Sequence, residues 1–266
     1  MTEEKPAAAN VTLSIADWTQ EEIPVGIDKL TDATTASASL QGEGTEDSPY
    51  LITSAADLLC YFNSDEYLDS KYARLETDIE MDTSNWDPAT LFGVFDGNGH
   101  TISGSIKCDL SQMQNSPPAV MIGFFESLAG YNGMSVASEI RNLNVSADIT
   151  VTGTGTSNLF ECRVGGIVCE VVSSTIITNC TYSGSITVSA ILVNDIIGTI
   201  CIGGIAGQNY GSISHCTFSG TIDASGASAS SMKVGGIAGR DETNSIEEWN
   251  NVNAGTVITP QSSSIQ

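Results

Sequence analysis

Basic side chains are scarce: nine Lys and Arg stand against 32 Asp and Glu, a formal net charge of −23. A surface so charged repels phosphate backbones and anionic lipid, which argues against nucleic acid and membrane surfaces as partners. Long apolar runs are missing too, and no stretch approaches the roughly 18 residues of a membrane span. The opening MTEEKPAAAN has no apolar h-region, so no signal peptide is read there. Histidine occurs twice and the seven cysteines form no CxxC pair, which leaves little basis for a zinc site or other cofactor. Charged residues make up only 15% of the chain, so its polarity comes mainly from Ser, Thr, Asn and Gly. That balance suits a β-rich extracellular protein better than a charged helical one. Hydrophobic content of 41% still allows a substantial core, in one large all-β domain or two smaller ones.

What is present in quantity is repetition. RVGGIVCEVVSSTIITNCTYSGSITVS, from Arg163, nearly recurs as CIGGIAGQNYGSISHCTFSGTIDAS, from Cys201, and VGGIAGRDETNSIEEWNNVNAGTVITP begins a third copy at Val234. In the first copy Cys180, Tyr182, Gly184, Ile186 and Val188 share one parity and Thr181, Ser183, Ser185 and Thr187 the other, the pattern of a half-buried strand. Cys216, Phe218, Gly220 and Ile222 repeat it, as do Leu143, Val145, Ala147 and Ile149 upstream.

The parity breaks just before each strand. Ile140 and Leu143, Ile177 and Cys180, and Ile213 and Cys216 are apolar pairs that a straight strand would send to opposite faces, so a corner must lie between them. Asn142, Asn179 and His215 occupy those corners, with Asn250 as a fourth member, and Asn tolerates left-handed dihedrals. Gly-Gly pairs starting at 165, 203 and 235 supply a second corner or bulge. Each repeat is then one turn of a coil with two corners and about three strands. Turns stack by parallel pairing around a shared core: the reading is all-β, a parallel β-helix. The solenoid is expected over residues 72–260, after an N-terminal extension (1–43) and a cap (44–71), and before a tail (261–266). Val11, Leu13 and Ile15 alternate, so the extension is read as either partly disordered or adding a strand. In the cap, Ser54 starts a short helix with Asp57 three residues on, and Leu58, Leu59 and Phe62 cover the open end of the coil.

VGGIVC, IGGIAG and VGGIAG, each followed by Ser-Ile or Thr-Ile and then, in the first two, by Asn-Cys or His-Cys, resemble GLUG repeats; GTEDSPYLITSAADL and FDGNGHTISG resemble the segment that precedes them. The resemblance implies a right-handed β-helix in a secreted or surface-attached bacterial protein of the adhesin-like type. It also implies glycans or host matrix proteins as ligands. Two positions depart from the pattern: Cys169 stands where the later repeats have Gly207 and Gly239, and Asn251 where a Cys would continue the series.

Chemistry is sparse in the sequence. Asp96 and His100 lie close together in FDGNGHTISG, but spacing alone supplies no nucleophile, and the segment reads as a Gly/Asn turn. Tyr182 and Phe218 suggest sugar-stacking rings, yet their parity puts them in the core. Glu76, Asp78, Glu80 and Asp82 share one face if ETDIEMD is a strand, an arrangement that solubilises more often than it holds calcium. Cys180 and Cys216 fall inward side by side, which favours buried thiols over a disulfide. No catalytic, cofactor or metal residue is therefore assigned. The function expected is a monomeric, non-catalytic adhesion or stalk module at the cell surface, the alternative being a polysaccharide lyase or hydrolase on the same fold.

Overall fold

The computed structural model describes residues 40–63, 69–81, 88–113, 119–129, 137–155, 159–192, 198–243 and 250–260. The strand expected at Val11–Ile15, residue Asp82 and the tail lie outside the described residues. The strands form sheets of ten, nine, four and two members among the described residues. All the strand-to-strand ladders are parallel, and they join residues one repeat apart, as a coil requires.

One turn shows the path. It runs through Thr199–Gly203, Ala206–Asn209, Ser212–Ser214, Thr217–Phe218 and Thr221–Asp223, and so contains five short strands where about three were expected. The two additional breaks fall at Tyr210–Gly211 and Ser219–Gly220. A Cβ on Gly211 would lie 2.6 Å from the Thr175 carbonyl oxygen, and one on Gly220 only 2.0 Å from that of Gly184. At both places the chain dips against the turn below, which costs it the strand geometry.

The first corner is held by left-handed residues. Asn142, Asn179, His215 and Asn250 have φ of 53°, 52°, 54° and 56°. They stack in a column: Asn179 Nδ2 donates to Asn142 Oδ1 at 2.7 Å, and Asn142 Nδ2 to Asp96 Oδ1 at 3.0 Å. The Gly-Gly corner has another cause. None of its glycines has a positive φ; they are glycines because of close approach. A Cβ on Gly166 would lie 2.1 Å from Gly204 O and 2.4 Å from the Tyr182 ring, and one on Gly204 would lie 2.3 Å from both Gly236 O and the Phe218 ring.

Inside, the register stacks like on like. Ile106, Ile149, Ile186, Ile222 and Val257 form one column, and Ile102, Val145, Tyr182 and Phe218 another, which ends on the exposed Asn253. The Tyr182 and Phe218 rings stack with centroids 6.3 Å apart and planes 16° from parallel. Cys180 sits beside Cys216 as free, buried thiols. Each Sγ bonds a carbonyl of its own turn, Thr178 O at 3.2 Å and Ser214 O at 3.3 Å, and burial pushes the Cys180 thiol well above its ordinary range. Both departures from the repeat also find a place. Cys169 Sγ bonds Phe125 O at 3.3 Å beside Gly123, whose missing side chain leaves it room. Asn251 ends the cysteine column by bonding the turn below: its Oδ1 accepts from Cys216 N at 2.9 Å and its Nδ2 donates to Ile213 O at 2.8 Å.

The other end is covered by the helix Ala55–Phe62. Ser54 Oγ accepts from Asp57 N at 3.1 Å, the expected cap. Asp57 reaches back one residue further than a capping box would, to Thr53 N and Oγ1 at 3.0 and 2.6 Å. Leu58, Tyr61 and Phe62 are buried, with Leu59 only partly so, and Phe62 packs on Phe125 at 5.1 Å between ring centroids. Parallel pairing begins within this segment, where Tyr50–Ile52 stacks on Ala73–Leu75. Among the described residues the first parallel pairing therefore lies upstream of Tyr72.

Candidate functional site

The structure does not join Asp96 and His100 into an acid–base pair. Asp96 and His100 point to different partners. Asp96 accepts from Asn98 N at 2.8 Å, Asn142 Nδ2 at 3.0 Å and Arg141 Nε at 2.9 Å. Burial alone would raise the Asp96 carboxyl, but these bonds together hold it below the usual carboxylate range. His100 Nδ1 instead faces Asp78 Oδ1 at 3.2 Å. The Asp96 carboxylate thus ties the backbone of its own turn to side chains of the next. The acidic stretch does not share one face either, because a corner at residues 76–78 separates two strands. Glu76 pairs with Arg74 at 2.6 Å, Asp78 accepts from Thr101 N at 2.9 Å, and Glu80 projects from the short strand Ile79–Met81. Among the described residues no group of His, Cys, Asp and Glu is placed to hold a metal ion.

Two outer surfaces remain. The first is the outward face of the nine-stranded sheet, where register aligns Thr101, Asn144, Thr181 and Thr217 in one column and Ser103, Ser146, Ser183 and Ser219 in the next. Asp148, Ser185 and Thr221 form a third column, tied by Ser185 Oγ donating to Asp148 Oδ1 at 2.6 Å, and Thr150, Thr187 and Asp223 a fourth. These side chains carry hydroxyls, amides or carboxylates; the fourth column also takes in Lys107, and the first and fourth end on the exposed Val252 and Ile258.

The second surface was not read from the sequence. Strands on either side of the Gly-Gly corner fold back on one another, so residues that flank VGGIVC, IGGIAG and VGGIAG meet across a narrow groove. Arg163 Nη1 reaches Glu170 at 2.9 Å across it, and Arg163 Nη2 reaches Glu161 on its own strand at 2.7 Å. One turn on, Cys201 faces Gln208, which is buried; Gln208 Nε2 donates to the Tyr210 hydroxyl at 2.6 Å, while its Oε1 has no partner among the described residues. On the last turn Lys233 and Arg240 hold these positions, and the groove opens into a cleft of about 460 Å³. Thr199, Ser231, Asp241 and Glu242 complete its lining. Arg240 Nε pairs with Glu242, and Asp241 Oδ1 accepts from Asn209 Nδ2 at 2.9 Å. Lys233 has no ion pair among the described residues. The sequence did carry a signal for this groove: a charged or amide residue stands at each end of a Gly-Gly hexapeptide in all three copies except at Cys201.

Parallel ladders wound turn on turn, with apolar columns inside and polar ones outside, define a parallel β-helix. Within it, residues 198–223 match the GLUG motif. Those residues are the complete turn traced above, from the strand at Thr199 to the strand ending at Asp223. The chain is 32% identical to halomucin of Haloquadratum walsbyi over 52% of its own length, and that match spans 2% of halomucin. Among solved structures it is similar to a Bacteroides ovatus protein described as an immunoglobulin A1 protease, at 19% identity and a TM-score of 0.45, covering 81% of this chain and 69% of that one.

Proposed function

We propose that this β-helix is a non-catalytic extracellular module of an adhesin-like surface protein, which holds a glycan or protein ligand against its outer faces. The observation that carries the reading is the column register of the nine-stranded sheet, which sets hydroxyl and amide side chains in rows with no convergent acid, base or metal ligands among them. The acid–base pair weighed in the sequence, Asp96 and His100, is engaged with different partners. The GLUG motif and the halomucin match support a place at the cell surface. Exposed hydroxyl contacts are individually weak, so binding depends on many acting together.

The test is retention of polysaccharides and mucin-type glycoproteins on immobilised protein, at single-copy and dense display, with reducing ends and peptide cleavage followed in parallel. Weak single-copy retention that strengthens with density, without turnover, is expected. Turnover that co-purifies with the protein overturns the reading in favour of a carbohydrate-active or proteolytic enzyme.

A further inference from the structure

The groove beside the Gly-Gly corner has features that the hydroxyl columns lack: depth, paired donors and acceptors, and a neighbouring ring. We propose that its open end, at Lys233 and Arg240, is a subsite for a single neutral sugar unit of a glycan, an inference that rests on the surface-module reading above. Size comes first. A cleft of about 460 Å³ lies within the range of small-ligand sites and is bounded by side chains from two sheets.

Charge selects the ligand class. Lys233 and Arg240 are balanced in the lining by Asp241 and Glu242, so the cleft is locally neutral within a chain of formal charge −23. An acidic sugar would meet two carboxylates and the field of the whole molecule. A neutral sugar offers vicinal hydroxyls, each both donor and acceptor. The lining matches them with donors on Lys233 and Arg240, acceptors on Asp241 and Glu242, and the hydroxyls of Thr199 and Ser231.

Two further observations point the same way. On the rung beneath Arg240, in the same column, Gln208 is 1% exposed and its buried Oε1 has no partner among the described residues, an unsatisfied acceptor directly under the cleft. Tyr210 is 38% exposed, and its hydroxyl is pinned by Gln208 Nε2, which sets an aromatic ring at the border of the same column. Further along, the groove is shut by the Arg163–Glu170 ion pair. The open length therefore suits one sugar unit at a chain end, not a long polymer threaded through.

The experiment titrates the whole chain with neutral tri- and tetrasaccharides of gluco, galacto and manno configuration, and with a uronic-acid oligosaccharide of the same length, by calorimetry and ligand-observed NMR. At least one neutral oligosaccharide should bind in the millimolar range or tighter and outcompete the uronate. Arg240→Ala and Lys233→Ala should each weaken it by about tenfold, the loss of one charge-assisted bond. Ser146→Ala, in the hydroxyl columns, should leave it unchanged. Both cleft substitutions are at exposed positions, and a thermal melt checks that the fold survives. No binding across the panel, tighter uronate binding, or binding that ignores both cleft variants overturns the proposal. If binding is lost in Ser146→Ala instead, the subsite fails while the surface-module reading stands; glycan cleavage ends that reading itself.

Discussion

Replacing Ile222 with Asp tests the inside–outside register where it matters most. Ile222 is fully buried, stacked between Ile186 below and Val257 above. Losing the isoleucine side chain from the core forfeits about 2–3 kcal/mol of transfer free energy. Unfilled volume adds about 1 kcal/mol, and an unpartnered carboxyl adds about 2 kcal/mol even when protonated. The total is about 5 kcal/mol, enough to melt the turns beyond it. In a solenoid the damage need not be global, so denaturant unfolding of Ile222→Asp should show a lower midpoint together with a shallower or two-step transition. The matched control is Ser183→Asp, which is exposed in the column with Ser146 and Ser219 and should change stability by less than about 0.5 kcal/mol. Ser185 is a poorer control than its parity suggests, because its hydroxyl is bonded to Asp148. pH gives a second reading. Burial raises the folded-state pKa of the introduced carboxyl above its unfolded value, so its penalty is smallest below the unfolded pKa and grows as pH rises through the folded one. The Ile222→Asp deficit should therefore shrink on acidification toward pH ~4. Equal midpoints for the two variants, or a deficit that grows with acid, would refute the register.

Other outcomes follow from single contacts. Gly204→Ala should cost about 1–3 kcal/mol in denaturant melts, because its new methyl meets Gly236 O and the Phe218 ring; Gly99→Ala, whose Cβ would meet nothing within 4 Å, is strained only by its positive φ of 79° and should cost less. Asn179→Val should destabilise by about 2 kcal/mol, since a β-branched residue must enter the left-handed region and the bond to Asn142 is lost, whereas His215→Gly should be near neutral or stabilising. Cys180 and Cys216 should resist alkylation until the protein is denatured; intact mass shows it, and a disulfide mapped to this pair would contradict the stacked-thiol geometry.

Which features were legible in the sequence follows from their physical range. Parity and corner spacing are local, and they recur in every copy, so the left-handed column at Asn142, Asn179, His215 and Asn250 and the inward stack of Tyr182 on Phe218 were readable before any coordinates. The added breaks at Gly211 and Gly220 were not, because what forbids a side chain there is a carbonyl one turn below, over thirty residues away along the chain. Distance along the chain also hid the role of Gly166 and Gly204, each of which is hemmed in by a carbonyl of the next turn and a ring across its own. Tyr61 escaped notice in the helix because a tyrosine reads as a surface residue until the end of a coil is set against it. The groove was missed for a related cause: Lys233 and Arg240 look like solvated charges on separate strands, and only the fold-back at the Gly-Gly corner makes them neighbours.

The account stands most directly on one measurement: glycan retention and glycan or peptide cleavage followed on the same purified sample, with and without substitution of the cleft carboxylates by Asp241→Asn and Glu242→Gln. The structure's polar columns and locally neutral cleft predict retention without detectable product in either form. Product that accumulates with the unsubstituted chain and vanishes with either substitution would make the cleft an active site and the module an enzyme.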